Sequence, residues 1–285
     1  MRKTKGLPYF LVAPAVLLFL LFVAAPGIYA LVLSFQARKV SGGLLAAGSK
    51  VVFVGLDNYT EALGDPELLG SVLRMLVVGV VTVTATVGLA LLFALLLDVP
   101  RTRLAKLSRL AIFLPYAVPG VIATLLWGFL YLPATSPVKG VDFFGSVSVF
   151  FSVANIAVWA AVGFNMIVIF TALRSIPPEI HEAARLDGCT EVRMALRIKV
   201  PLVRPAIAMC TLFSVLAALQ LVNEPFTLRP LSNAISSEWT PLMKIYKDAF
   251  VDSDIYSAAA TSVLFTAAAL IVSFIAAKTV QRGAR

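Results

Sequence analysis

Three polar side chains and one aromatic ring fall close together at the end of an apolar stretch, LAALQLVNEPFTL. Gln220, Asn223 and Glu224 are spaced i, i+3 and i+4, which predicts one shared helical face before Pro225 breaks the helix. Amides and carboxylates form paired hydrogen bonds with neighbouring hydroxyls, and Phe226 adds an apolar face. The set therefore suits a sugar-like ligand, although hydrogen bonding between helices would use the same side chains equally well.

Other polar and aromatic residues lie inside apolar stretches. Trp127 is typical of an interface anchor, and it could also stack on a sugar ring. Asn165 would either join helices or touch a ligand within a bundle. Thr82, Thr84 and Thr86 are predicted to return hydrogen bonds to their own helix backbone, so they need no ligand.

The residues that would mark metal or phosphate chemistry are sparse. His181 is the only histidine, and Cys189 and Cys210 are the only cysteines. No Cys/His cluster with metal-ligand spacing occurs, and no Gly-Lys-Ser/Thr phosphate-binding loop is present. We therefore expect no metal and no cofactor bound by this chain, and no catalytic or ATPase site of its own.

Hydropathy defines the elements that must position these residues. The 285 residues have a mean hydropathy of +0.93 and 60% hydrophobic content, which is typical of a polytopic membrane protein. Six apolar runs are long enough to span a bilayer as helices, which predicts an all-α fold. The runs are near Leu7–Leu33, Ser71–Leu97, Leu107–Leu132, Val147–Leu173, Pro201–Asn223 and Ile255–Lys278. Pro115 and Pro119 are expected to interrupt the third run.

The net charge of +9 is unevenly distributed between the two sides of these spans, and this distribution indicates how the chain is oriented in the membrane. One side, with both termini and the 98–109 and 174–204 segments, holds sixteen Lys and Arg against five Asp and Glu. The other side holds eight against ten. This asymmetry predicts that both termini are cytoplasmic, and it argues against a nucleic-acid role. Arg2, Lys3, Lys5, Arg101 and Arg103 contribute to it.

One cytoplasmic loop, residues 174–205, reads RSIPPEIHEAARLDGCTEVRMALRIKVPLVRP and has the features of a docking element. Ser175 is predicted to cap a first helix whose opening turn accommodates Pro177 and Pro178. Gly188 would end that helix in the left-handed conformation. Thr190 would cap a second helix running to about residue 199. The result would be a short helix–turn–helix held at the membrane surface.

The same loop resembles the EAA loop in membrane subunits of bacterial ATP-binding-cassette (ABC) importers. The positions that match in register are Glu182, Ala183, Ala184, Asp187, Gly188, Ile198 and Pro201, followed by Pro205. The stretches GLDNYTEALGDPEL, AIFLPYAVPGVIATLLWGFLY, SSEWTPLMKIYKDAF and YSAAATS are similar to the carbohydrate-uptake permeases of this family. The resemblance extends from about Leu7 to Arg282.

The resemblance implies a type I ABC importer permease of the maltose and glycerol-3-phosphate class in a bacterial inner membrane. Residues 1–70 would form a first transmembrane helix with an external segment, and residues 71–280 the permease core. The implied partners are a second permease in a heterodimer, two ATPase subunits that hold ATP and Mg, and an external solute-binding protein. The matched loop residues would couple the permease to the ATPases, and we call residues 174–205 the coupling loop.

Several alternatives stay open at this point. A di- or oligosaccharide is the first expectation for the cargo, before glycerol phosphate compounds, which would favour basic residues in the cavity, and before polyols. A secondary carrier driven by an ion gradient is a different class, but such carriers place ionisable residues deep in the membrane, and these spans are almost free of charge. A membrane enzyme would need a nucleophile–base or paired-acid set on a common face, and none is evident.

Overall fold

The structure is a computed structural model that describes residues 7–41, 48–99 and 104–283. Arg2, Lys3, Lys5, Arg101 and Arg103, which contribute to the predicted charge asymmetry, lie outside these residues. The long helices are α1 Leu7–Phe19, α2 Ala25–Leu33, α4 Pro66–Leu97, α5 Ala105–Phe113, α6 Gly120–Tyr131, α7 Ser148–Arg174, α11 Arg204–Leu219 and α14 Ile255–Gly283. The shorter helices are α3 Asp57–Gly64, α8 Pro178–Leu186, α9 Glu191–Met194, α10 Val200–Leu202, α12 Asn223–Leu228 and α13 Pro241–Phe250.

The apolar helices provide up to six membrane spans, as the hydropathy predicts. Four stretches are long and apolar enough to cross a bilayer by themselves: Tyr9–Leu33, Pro66–Leu97, Ser148–Arg174 and Ile255–Lys278. The first of these joins α1 and α2 through a π-helical turn, Leu20–Ala24. Two bent pairs of helices bring the number to six if each pair is one span: Ala105–Ala117 with Gly120–Tyr131, bent by 100°, and Glu191–Leu202 with Arg204–Leu219, bent by 70°.

The third span is broken where its prolines predict. After α5, a 3₁₀ turn at Leu114–Ala117 leads into an extended residue, Val118, and Pro119 then precedes the first residue of α6. The two helices meet at 100°. Proline removes a backbone donor and disfavours a helical residue before it, so the paired prolines account for the change of direction.

The chain divides into two compact units. The first consists of Met1–Leu69 with Lys244–Ala267, and the second of Gly70–Met243 with Ala268–Arg285.

The first unit contains a two-stranded antiparallel hairpin, β1 Gln36–Ser41 and β2 Gly48–Phe53. Asn58, buried at the start of α3, donates from Nδ2 to the carbonyl oxygens of Ser34 (2.9 Å) and Gln36 (2.7 Å). The hydroxyls of Ser34 and Tyr59 are 2.5 Å apart. These bonds hold α3 against the chain that leaves the first span.

An ionic network also lies in the first unit. Lys244 Nζ contacts Asp65 Oδ2 at 2.9 Å and Asp248 Oδ2 at 3.1 Å. Burial works against ionisation of Asp65, but the hydrogen bond from Lys244 and a backbone bond from Glu67 outweigh it, so its pKa is lowered. The two carboxylates raise the pKa of Lys244 against the opposing effect of its burial.

The second unit has two buried apolar clusters. One surrounds Trp239 and includes Val149, Val153, Ile156 and Leu228. The other includes Met166, Ile169 and Leu173 of α7 and Ala90 and Ala94 of α4. These clusters fix α4, α7 and α11 relative to one another.

Candidate functional site

A cavity of about 320 Å³ lies in the second unit, lined by residues of the second, third, fourth and fifth spans. We call it the central cavity. Its lining residues from the spans and bends are Val78, Gly79, Thr82, Thr86, Tyr116, Val118, Gly120, Ala157, Ala160, Ala161, Ser214, Ala217, Ala218, Gln220, Leu221, Asn223 and Glu224. Small residues from α7 and α11 form the walls, so their side chains leave the volume open.

The polar cluster at the end of the fifth span lines this cavity, although not by the geometry that its spacing predicts. α11 ends at Leu219, and α12 begins at Asn223. Gln220, Asn223 and Glu224 therefore do not share one helix face. Pro225 does not end a helix either, because it lies within the first turn of α12. All three residues line the cavity, with the helical conformation interrupted between Leu219 and Asn223.

The hydroxyls of Thr82 and Thr86 do not form the backbone hydrogen bonds that the sequence predicts, although other threonines do. Thr171 and Thr211 donate to carbonyls one turn earlier, at 2.8 and 2.9 Å. Thr82 and Thr86 are buried beside the central cavity, and their Oγ1 atoms have no hydrogen-bond partner within the described residues. The prediction that they return bonds to the backbone is wrong. Ser214 Oγ is also buried with no hydrogen-bond partner within the described residues. The cavity wall therefore carries polar atoms that could still form hydrogen bonds.

The electrostatics of the cavity are simple. Glu224 supplies a carboxylate, and no Lys, Arg or His is among the described residues that line the space. Gln220 and Asn223 add amides that can both donate and accept. The lining can therefore hydrogen-bond to hydroxyl groups, but it offers no cation to an anionic ligand.

Three other residues from the sequence prediction do not line the central cavity. Trp127 lies beside a separate apolar cavity of about 450 Å³, where its ring meets Trp159 edge-on at 5.9 Å. Asn165 is buried and donates from Nδ2 to Ala161 O of its own helix at 3.0 Å, and its Oδ1 has no hydrogen-bond partner within the described residues. Phe226 is half-exposed on α12. A direct ligand role for these three stays a prediction.

The coupling loop has the predicted helix–turn–helix, with one correction at its start. Pro177 occupies the N-cap of α8, and Ser175 Oγ donates backwards to Ala172 O at 2.7 Å. Ser175 therefore closes α7 and does not cap α8. At the other end Gly188 adopts φ +74°, Gly188 N–H donates to Arg185 O, and Cys189 N–H donates to Ala184 O. This pair of bonds is a Schellman motif, which requires the left-handed residue.

The second half of the coupling loop is also built as expected. Thr190 Oγ1 accepts from the backbone N–H of Arg193 at 3.4 Å and caps α9. The helix continues through a π-helical turn, Ala195–Lys199, into α10. Ile198 and Pro201 are both half-buried in this stretch.

The matched residues in α8 and in the turn that follows it differ in exposure. Glu182, Ala183, Asp187 and Gly188 are exposed, and Ala184 is buried within the chain at 7% exposure. Ala184 thus allows close packing inside the subunit, whereas Ala183 is on the free surface. Apolar side chains that were missing from the prediction join the exposed surface: Leu186, Val192 and Leu196. Exposed apolar residues rimmed by charges mark protein contact sites, and this signal was readable from the loop sequence.

Broken apolar spans around a polar cavity are typical of an α-helical membrane permease. Residues 87–285 match the family model described as "Binding-protein-dependent transport system inner membrane component". The chain therefore belongs to this family and is a membrane component of such a transport system.

Relatives and solved structures agree with this assignment. The chain is 25% identical over 283 residues to the arabinooligosaccharides transport system permease protein AraP of Halalkalibacterium halodurans, covering 95% of this chain and 87% of the relative. It is 28% identical over 298 residues to the sn-glycerol-3-phosphate transport system permease protein UgpA of Salmonella choleraesuis, covering 99% and 97%.

The fold is shared with a chain of a bacterial ABC transporter involved in the import of the acidic polysaccharide alginate. The TM-score is 0.83 at 21% identity, over 98% of this chain and 96% of the other. A second crystal structure of that alginate transporter includes an alginate pentasaccharide-bound periplasmic protein. The chain thus has the type I ABC importer permease fold.

Proposed function

We propose that the chain is one half of the translocation pathway in an ATP-driven importer of neutral di- or oligosaccharides. The central cavity is the observation that carries this proposal, because it joins amides, hydroxyls and a carboxylate from three spans within an apolar bundle. Such groups pair with sugar hydroxyls, which present donors and acceptors on neighbouring carbons. The similarity to AraP, a permease protein of an arabinooligosaccharides transport system, supports the same class of cargo.

The proposed complex also contains a second permease, two ATPase subunits and an external solute-binding protein. ATP and Mg would be held by the ATPases, and α8 with Glu182, Ala183 and Asp187 would dock into them. Gly188 would set the turn behind α8, and Ile198 and Pro201 would connect the loop to the fifth span. Both termini would lie in the cytoplasm, as the charge asymmetry indicates. Closure of the ATPases on ATP would bias the permease between inward-facing and outward-facing states.

Glycerol-3-phosphate is the second candidate cargo, because UgpA is 28% identical over nearly the whole of both chains. A phosphate group is best bound by Arg or Lys, which form short charge-assisted hydrogen bonds. The described lining of the central cavity offers Glu224 in place of such a cation. The chemistry of this half of the pathway therefore favours a neutral sugar.

We expect Glu224→Gln to lower sugar uptake by about tenfold or more, since a hydrogen bond to a charged group contributes about 1.5–3 kcal/mol. The assay is uptake of a labelled neutral oligosaccharide by proteoliposomes that contain the complete complex and its binding protein. Asp57→Asn, which removes an exposed carboxylate at the start of α3, is the matched control and should leave uptake unchanged. Uptake of sn-glycerol-3-phosphate by the wild-type complex, with no effect of Glu224→Gln, would contradict the proposal.

A further inference from the structure

A buried ion pair joins two distant parts of the second unit. Lys199 Nζ lies 2.6 Å from Asp98 Oδ2, and the two side chains are 8% and 5% exposed. The residues are 101 positions apart in the sequence. Asp98 directly follows the last residue of α4, and its N–H donates to Ala94 O. Lys199 ends the π-helical turn of the coupling loop.

The setting of this pair is apolar. Leu97, directly before Asp98, and Val203, whose N–H donates to Lys199 O at 3.0 Å, both belong to the buried cluster around Met166. Two packed apolar side chains would stabilise such a site as well as an ion pair does, because both charges lose their hydration there. An ion pair adds a directional bond, which fixes the position of one segment relative to the other.

The pair also lies on a continuous rigid path to the central cavity. From Asp98, α4 runs back without a break to Thr86 and Thr82, which line that cavity. Twelve residues of helix separate Asp98 from Thr86, which corresponds to about 18 Å. A displacement of the coupling loop that is passed to Asp98 would therefore move the cavity wall.

We propose that the Asp98–Lys199 ion pair is the mechanical link by which the coupling loop and α4 move together. This proposal rests on the proposed function, in which ATPases displace the loop. Asp98 and Lys199 are positioning residues: they are buried within the subunit, so neither contacts an ATPase nor a cargo. The pair differs in this from Arg185 and Glu191, which form an exposed pair at 3.1 Å in the same loop.

The test compares transport with ATP hydrolysis in proteoliposomes that contain the complete complex and its binding protein. The variants are Asp98→Asn, the exchanged pair Asp98→Lys/Lys199→Asp, the apolar pair Asp98→Leu/Lys199→Met, and the control Asp57→Asn, which removes an exposed carboxylate outside the coupling loop. For each variant the sugar molecules imported per ATP hydrolysed are measured, along with the thermal midpoint and the amount of ATPase that co-purifies.

We expect Asp98→Asn to retain the ATPase and its hydrolysis, while import per ATP falls at least about fivefold, the lower end of common coupling effects between sites. The exchanged pair should recover part of that loss. The apolar pair should keep the wild-type thermal midpoint and still import poorly. Asp57→Asn should match the wild type.

Three results would overturn the proposal. If the apolar pair imported as much sugar per ATP as the wild type, Asp98 and Lys199 would serve folding alone. Unchanged import per ATP in Asp98→Asn would show that the ion pair does not link the coupling loop to α4. Loss of the ATPase from Asp98→Asn would mean that the pair shapes the docking surface. A wild-type complex without ATP-driven uptake would instead overturn the proposed function, so the two failures are distinguishable.

Discussion

We expect the Gly163→Ala substitution to remove most of the folded subunit from the membrane. A Cβ atom at this position of α7 would lie 2.2 Å from Ile112 O and 2.7 Å from Phe113 Cα. Both are backbone atoms at the end of α5, next to the bend of the third span, so no side-chain rotation can relieve the overlap. Overpacking of this kind costs about 1–3 kcal/mol when side chains can adjust, and we expect at least the upper end here.

The measurement is the thermal midpoint of the purified subunit in detergent, with its abundance in membranes. Gly88→Ala in α4 is the matched control, because no atom lies within 4 Å of the Cβ that it would add. Alanine is favoured over glycine in a helix by about 1 kcal/mol, so this control should be neutral or slightly stabilising. Equal midpoints for Gly163→Ala and the wild type would show that α5 and α7 do not approach as described.

Gly188→Val is expected to abolish most uptake while the spans remain folded. Gly188 has φ +74°, and the left-handed conformation costs about 1–2 kcal/mol for a residue with a side chain, and more for a β-branched one. Relaxation of that strain would break the Schellman bonds from Gly188 to Arg185 and from Cys189 to Ala184. The exposed face of α8 would then no longer be presented in one geometry.

Gly188→Asn is the matched variant, since asparagine tolerates the left-handed region far better than valine. The experiment measures uptake and ATPase co-purification for both variants. We expect Gly188→Asn to remain close to the wild type and Gly188→Val to lose both properties, with unchanged thermal midpoints of the spans. Equal uptake by Gly188→Asn and Gly188→Val would show that coupling does not depend on the turn at Gly188.

Structural features that depend only on neighbouring residues could be predicted from the sequence. The turn at Gly188, the cap at Thr190 and the break at Pro115 and Pro119 each depend on the conformational limits of one or two residue types. The apolar runs follow from the length that a helix needs to cross hydrocarbon. These local rules determined the coupling loop almost completely.

Other features depend on tertiary contacts and left no local signal. No Pro or Gly occurs between Leu219 and Asn223, so the end of α11 could not be read from its residues, and the one-face prediction for Gln220, Asn223 and Glu224 was wrong. The rule that threonine bonds to its own helix holds at Thr171 but not at Thr82 and Thr86, which lie beside a cavity.

The ion pair between Asp98 and Lys199 could not be predicted from the sequence either. Each residue belongs to a charged segment beside a predicted span, where a charged side chain is usually solvated. The pair is buried because α4 and the coupling loop meet across 101 positions, and no periodicity or motif encodes that contact. Long-range juxtapositions of this kind therefore appear only in the folded chain.

The most direct test of the central claim, that this permease works through separate ATPases docked on its coupling loop, is co-purification from native membranes. Tagged wild type and Glu182→Lys would be solubilised gently, and the associated chains identified by mass spectrometry. We predict that the wild type retains a P-loop ATPase, a second permease and a sugar-binding protein, and that Glu182→Lys loses the ATPase while keeping the second permease. A lone chain or homo-oligomer that transports sugar in vesicles without ATP would contradict the claim.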